Sequence, residues 1–136
     1  MLGGAALPRH GDPDRFTYLK LCICETLRLC PSAHIFGRKT EQEAVVGGFV
    51  IPKGSNLLMW SYYLGRDLQQ WGPDAHLYRP ERHLPTDPLA GTRSKFAWTP
   101  FGAGPRMCLG ASLAMTEAAA CVAGMLTYAK TYVDVC

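Results

Sequence analysis

The stretch Thr99-Pro100-Phe101-Gly102-Ala103-Gly104-Pro105-Arg106-Met107-Cys108-Leu109-Gly110 constrains this chain more than any other. Gly102, Gly104 and Gly110 permit positive φ or a close approach of backbone to a flat ligand. Pro100 and Pro105 fix φ and stiffen the loop. The loop delivers one sulfur, that of Cys108, to the start of an Ala-rich run. That run predicts a helix over 109–128, apolar nearly all round, as in a helix buried within a larger protein. A sulfur at a helix N-terminus feels the positive end of the dipole and nearby amide donors, which favours thiolate over thiol. Arg106, two residues earlier, can set a guanidinium beside a carboxylate of whatever lies above the sulfur. Cys108 is therefore a candidate axial ligand to haem iron; the competing reading is a buried cysteine beside a Gly-rich turn.

Composition narrows the remaining classes. With 48% hydrophobic and 18% charged residues the chain is globular rather than disordered. A net charge of +3, with no run of Lys or Arg, excludes a nucleic-acid partner as the main reading. The six cysteines, at 22, 24, 30, 108, 121 and 136, have no disulfide-framework spacing and read as mostly free thiols of a reducing compartment. Cys22 and Cys24 lack a second pair for zinc, and no C-x-x-C-H is present for covalent haem attachment. No N-terminal apolar run reaches the ~18 residues of a membrane span.

Taken in order, residues 1–11 carry no periodicity and read as irregular. Asp12-Pro13 is a helix-start signal, and Pro31 stops the helix near Cys30. Phe16, Leu19, Ile23, Leu27 and Cys30 share one face of it, so periodicity leaves Glu25 and Arg28 as an exposed pair away from the stripe. Residues 31–38 read as extended or irregular. From Glu43 the pattern turns to strands: Val45-Val46, Phe49-Val50-Ile51 and Leu57-Leu58-Met59-Trp60, punctuated by Gly47-Gly48 and Pro52-Lys53-Gly54. A short helix ending near Gly65 follows, and then a turn-rich meander from Trp71. Residues 84–95 read as a variable loop with no assigned role, and 127–136 as the start of a strand. The fold class is mainly α with small β-sheets.

The span F-G-x-G-x-R-x-C-x-G, matched without gap by Phe101, Gly104, Arg106, Cys108 and Gly110, closely resembles the haem-binding loop of the cytochrome P-450 family. Glu25-Thr26-Leu27-Arg28 resembles the family's E-x-x-R element. The segment G-F-V-I-P-K-G resembles the hairpin that follows it, and Trp71-Gly72-Pro73-Asp74-Ala75 the family's W-G-P-D-A. Tyr78-Arg79-Pro80-Glu81-Arg82-His83 resembles F-x-P-E-R-F, with Tyr and His in place of the two aromatics, and Gly65 stands where the family often has His. The resemblance covers about residues 16–128. It implies that 1–136 is a partial domain, the C-terminal haem-proximal portion of the P-450 fold. It implies a haem b on Cys108, with Phe101, Gly104, Arg106 and Gly110 as its cradle. It further implies that Glu25, Arg28 and Arg82 form a buried structural triad, against the exposed pair that periodicity favours.

Arg38, thirteen residues after Glu25, matches a position that carries a haem propionate in many members; its other reading is a surface charge beside Lys39. Ala33, His34, Ile35 and Phe36 would face the substrate side, with His34 otherwise an ordinary half-buried histidine. The implied activity is monooxygenation of a small organic substrate, with electrons from an NADPH-dependent reductase or a ferredoxin. No catalytic residue beyond the haem ligand is present. Neither an A/G-G-x-D/E-T segment nor a W-x-x-x-R segment occurs, so a piece of a longer protein is expected, inactive on its own. Localisation is not legible; the resemblance implies a full-length protein at the endoplasmic-reticulum membrane or otherwise in the cytoplasm. The alternatives are a haem-thiolate isomerase or dehydratase, against which the ungapped loop argues, and a truncated polypeptide without activity.

Overall fold

The computed structural model describes residues 17–128. The irregular start expected over 1–11, the Asp12-Pro13 helix start, Phe16, and residues 129–136 lie outside them. The chain forms helix α1 (Thr17–Leu29), strand β1 (Ile35–Lys39), strands β2 (Ala44–Val46) and β3 (Phe49–Ile51), strand β4 (Asn56–Trp60), short helices α2 (Ser61–Leu64) and α3 (Leu68–Trp71), and the long helix α4 (Ala111–Tyr128). Two 3₁₀ turns, Pro80–His83 and Gly104–Arg106, lie in the long connection before α4.

The strands make two separate antiparallel pairs, β1 with β4 and β2 with β3. Gly47 and Gly48 both have positive φ, 58° and 86°, as a two-residue I′ hairpin turn requires, and this sets Val46 opposite Phe49. Strand β1 falls largely in the stretch read as extended or irregular. Ile-Phe-Gly-Arg-Lys lacks a period-two alternation and has a glycine at its centre, so its strand state comes from pairing: Phe36 opposes Met59 and Arg38 opposes Leu57. Thr127 and Tyr128, expected to begin a strand, end α4 instead.

Charged and apolar side chains share the centre of the described residues. Its apolar part is the cluster Trp71, Ala75 and Ala97, with Trp98 packed against it. Beside it, Glu25, Arg28 and Arg82 are each at most 1% exposed. This reverses the periodicity reading of α1: Leu19, Ile23 and Leu27 are half-buried and Cys30 is exposed, while the charged pair faces inward. A 3.6-residue pattern of apolar types cannot register a face buried by ion pairing, because its residues count as polar. α1 packs against the Pro80–His83 turn, against α2 and against α4.

Gly65 ends α2 in right-handed conformation, with φ of −66°, so it is not a left-handed cap. Its glycine character answers a close approach instead: a Cβ there would lie 2.2 Å from the Arg28 carbonyl oxygen. α4, read as a helix that only a larger protein would bury, has Leu113, Met125 and Leu126 exposed, and only Ala123 is buried among its described side chains. No helix among the described residues is long and apolar enough to cross a membrane.

Candidate functional site

Two constellations carry the sequence-marked residues. The first is the Cys108 loop. The Gly102 N–H donates to the Thr99 carbonyl at 3.1 Å, the Met107 N–H to Gly104 at 3.0 Å, and the Cys108 N–H to Phe101 at 2.9 Å. These bonds close residues 101–108 into a fixed loop and hold Cys108 at its exposed end. Gly102 and Gly104 have φ of 74° and 73°, a region that L side chains rarely adopt. A Cβ on either would meet nothing within 4 Å, so the backbone there is bare on its outer side. Phe101 and Gly110 are half-buried, and Gly104, Arg106, Met107 and Leu109 are exposed. Among the described residues Arg106 has neither a hydrogen-bond acceptor nor an ion-pair partner.

Cys108 does not open the helix, as expected, but precedes its first residue by three. Its carbonyl accepts from Ala111 at 3.4 Å, and the Gly110 carbonyl takes the Ala114 N–H at 2.8 Å. The run Leu109-Gly110 is spent in the turn because a glycine before Ala111 favours entry rather than continuation. All five described cysteines, 22, 24, 30, 108 and 121, are free thiols. Of these Cys24 is half-buried, and burial followed by the charge of Glu25 pushes its thiol pKa up, which disfavours a thiolate there.

The donor set suits a haem. A sulfur is exposed, two side-chain-free positions allow a planar group to approach the main chain, apolar Met107 and Leu109 border the sulfur, and Arg106 offers an unpaired cation to a carboxylate. No group of three or more His, Cys, Asp or Glu among the described residues could hold a free metal ion.

The second constellation is the charged centre. The Arg28 Nε donates to Glu25 Oε2 at 2.8 Å and its Nη2 to Oε1 at 2.7 Å, a bidentate fork within one helix. Its remaining donors reach the carbonyls of Gly65, Ala75 and Leu77, the last two at 2.6 and 3.1 Å. Arg82, 57 residues from Glu25, donates Nε to Oε1 at 2.9 Å and also reaches the carbonyls of Trp71, Asp74 and Leu77. The Arg79 N–H adds a bond to Oε1 at 2.8 Å. Burial would raise the Glu25 carboxyl pKa, but the Arg28 fork, the His83 ring and the Arg79 N–H outweigh it and hold it far below the usual carboxylate range. Asp74, also opposed by burial, is lowered by Arg82 and Arg79.

Sequence reasoning missed three parts of this centre. His83 is a fourth member, with Nε2 3.0 Å from Glu25 Oε2 and its ring near those of Trp71 and Trp98. The signal was there, in the exchange of the family's second aromatic for an imidazole. The stretch 84–95, assigned nothing, supplies Asp87 and Arg93. Asp87 pairs with Arg79 at 3.0 Å and with Arg93, whose guanidinium lies 4.6 Å from the Trp71 ring centre; Arg28 lies 5.1 Å from the same ring. Trp98 links this centre to the Cys108 loop, donating Nε1 to the Cys24 carbonyl at 3.2 Å.

The remaining marked residues lie on and before β1. Ala33, His34 and Ile35 are exposed and Phe36 is half-buried. His34 is thus not the ordinary half-buried histidine of the alternative; its ring stacks on Tyr62 at 5.9 Å. Arg38 is exposed, donates to the neighbouring Gly37 carbonyl at 2.9 Å and sits 5.6 Å from the Phe36 ring centre. Among the described residues no hydrogen bond or ion pair joins Arg38 to the Cys108 loop.

Comparison with known proteins bears on both constellations. The family model described as Cytochrome P450 matches residues 1–130. The chain is 38% identical to cytochrome P450 4V2 of Mus musculus over 106 residues, which is 78% of this chain and 20% of that protein. It is 37% identical to cytochrome P450 4d1 of Drosophila melanogaster over 115 residues, 85% of this chain and 22% of the relative. It is 34% identical to beta-amyrin 24-hydroxylase of Glycine max over 131 residues, 93% of this chain and 25% of the relative. The chain spans about a fifth to a quarter of the length of these curated relatives. A match over nearly the whole sequence, on a fold of helices with two small antiparallel sheets, makes this chain a member of the cytochrome P450 family.

Proposed function

We propose that this chain is the haem-proximal portion of a haem-thiolate monooxygenase, with Cys108 as the axial ligand of haem b. The observation that carries the reading is the exposed sulfur of Cys108, held by the bond from its N–H to the Phe101 carbonyl, beside two bare positive-φ glycines. When bound, a thiolate-ligated haem supplies activation of molecular oxygen for insertion into a C–H bond of a small organic substrate. The chain's own residues hold and orient. Gly104 and Gly110 keep the main chain free of Cβ atoms where the ring would lie, and Phe101 shields the sulfur side. Arg106 and Arg38 are the cations for the two propionates. Glu25, Arg28 and Arg82 keep α1, the meander and the loop in register. Ala33, His34, Ile35 and Phe36 form part of the substrate side. Electrons come from an NADPH-dependent reductase or a ferredoxin.

The test is the ferrous carbon monoxide spectrum of the protein with its native flanking sequence. Cys108→Ser should abolish the red-shifted Soret band, while Cys22→Ser, Cys24→Ser and Cys121→Ser should keep it. A band that survives Cys108→Ser would overturn the assignment. Dependence of product on an added reductant separates monooxygenation from isomerase or dehydratase chemistry, which needs none.

A second reading concerns the 136 residues alone: they do not turn over substrate. Leu109, Leu113, Met125 and Leu126 are exposed, so apolar surface next to the loop is open to water, and oxygen activation needs a water-excluding pocket and a positioned proton relay. The isolated chain, supplied with haem, reductase and reduced nicotinamide cofactor, should yield no substrate-dependent product. Oxygen insertion that disappears in Cys108→Ser would refute this.

A further inference from the structure

A cavity of about 10 Å³ lies where the end of α1, the start of α2 and the segment entering the Cys108 loop meet. Leu27, Pro31, Ser61, Thr99 and Pro100 are among its walls. Two hydroxyl oxygens of lining residues, Ser61 Oγ and Thr99 Oγ1, are buried and have no hydrogen-bond partner among the described residues. Ser61 as a residue is only 5% exposed, so bulk water does not serve it. A buried hydroxyl without a partner is costly enough that such groups are rarely left so.

The helix end supplies a third polar group. In α1 the Leu27 carbonyl would accept the N–H four residues on, but that residue is Pro31, which has none. Two other carbonyls of this last turn are provided for: Thr26 takes the Cys30 N–H at 2.7 Å, and Leu29 takes Arg66 Nη1 at 2.6 Å. Among the described residues no donor reaches the Leu27 oxygen across the turn. The residues that carry these two hydroxyls and this carbonyl thus line a space of about one water molecule, and buried waters typically make about three hydrogen bonds.

We propose that this cavity is a binding site for one ordered water, which bridges Ser61 Oγ, Thr99 Oγ1 and the Leu27 carbonyl. The water donates to the carbonyl and to one hydroxyl and accepts from the other. Thr99 immediately precedes Pro100 and its carbonyl takes the Gly102 N–H, so the bridge ties the base of the Cys108 loop to the helix that carries Glu25 and Arg28. The reading does not depend on what Cys108 binds.

The experiment uses the chain within its native flanking sequence and compares Ser61→Ala, Thr99→Val and the double variant with the parent. Both substitutions remove a hydroxyl with little change of shape. With a shared water, each single variant should lower the midpoint of thermal unfolding by about 2–4 °C. The double variant should lose less than the sum, because either change already loosens the same molecule. A crystal structure of the parent should show one water within about 3.2 Å of both oxygens. If the hydroxyls instead line a dry space, removing either one leaves stability unchanged or raises it. That result, strictly additive losses, or a crystal structure without density at the site would each overturn the proposal.

Discussion

Arg28 uses all five of its N–H groups: two on the Glu25 carboxylate and one each on the carbonyls of Gly65, Ala75 and Leu77. Arg28→Met removes them all while nearly preserving volume. Leu77 keeps a bond from Arg82 at 3.2 Å, and Glu25 keeps Arg82, His83 and the Arg79 N–H. The Gly65 and Ala75 carbonyls are left without these donors, at about 1–3 kcal/mol each for a buried acceptor. Breaking a buried ion pair costs about 3–5 kcal/mol on its own. The terms overlap, so about 4–7 kcal/mol is expected, against a total stability of about 5–15 kcal/mol for a typical domain. Arg28→Met should therefore be mostly unfolded and free of haem. Arg28→Lys is the informative variant: it keeps the charge but has at most three donors in place of a planar fork, which predicts a loss of about 2–4 kcal/mol. Denaturant titration with its native flanking sequence, and haem content per polypeptide, measure both. An Arg28→Lys protein within about 1 kcal/mol of the parent would refute the reasoning, since the fork would then be dispensable. Normal folding and haem content in Arg28→Met with only slower turnover would refute the structural role itself.

Three further outcomes are expected. His83→Phe, which restores the aromatic of the family pattern, keeps the ring contacts but removes the bond to Glu25 Oε2, and should cost about 1–2 kcal/mol in denaturant titration; a more stable variant would show that bond to be idle. Gly65→Ala should cost about 1–3 kcal/mol through the clash with the Arg28 carbonyl, while Gly91→Ala, whose Cβ meets nothing within 4 Å, should cost far less; equal effects would count against the close approach. The depressed Glu25 carboxyl makes the unfolded chain bind the extra proton in acid. Its stabilising contribution is thus complete above the unfolded value of about 4.3 and is lost as pH falls below it, so the unfolding midpoint should drop below about pH 4; a midpoint level down to pH 2 would contradict this.

The elements most legible in the sequence were those fixed by local chemistry. Gly47-Gly48 specifies its hairpin through two positive φ values, and the Cys108 loop is punctuated by glycines and prolines that its backbone needs. What was hidden depends on pairing across the chain. β1 is a strand only because β4 lies beside it. Asp87 and Arg93 look like surface charges until Arg79 and Trp71 are brought to them. The inward turn of Glu25 and Arg28 contradicts the apolar period of α1, and the resemblance alone pointed to it. The all-round apolar pattern of α4 pointed to a helix left largely uncovered here, but nothing in the spacing foretold that it would begin at Ala111.

The charged centre has a calorimetric consequence. Unfolding exposes apolar surface, which raises the heat capacity, and polar surface, which lowers it. Here the large groups released from the middle include two arginines and a glutamate, beside an apolar cluster of one tryptophan and two alanines. The two contributions oppose each other, so the heat-capacity increment of this region per residue falls below that of a domain centred on leucines and valines. A small increment flattens the dependence of stability on temperature. The stability of this part of the protein is therefore expected to change less between cold and warm conditions than that of a domain centred on aliphatic side chains.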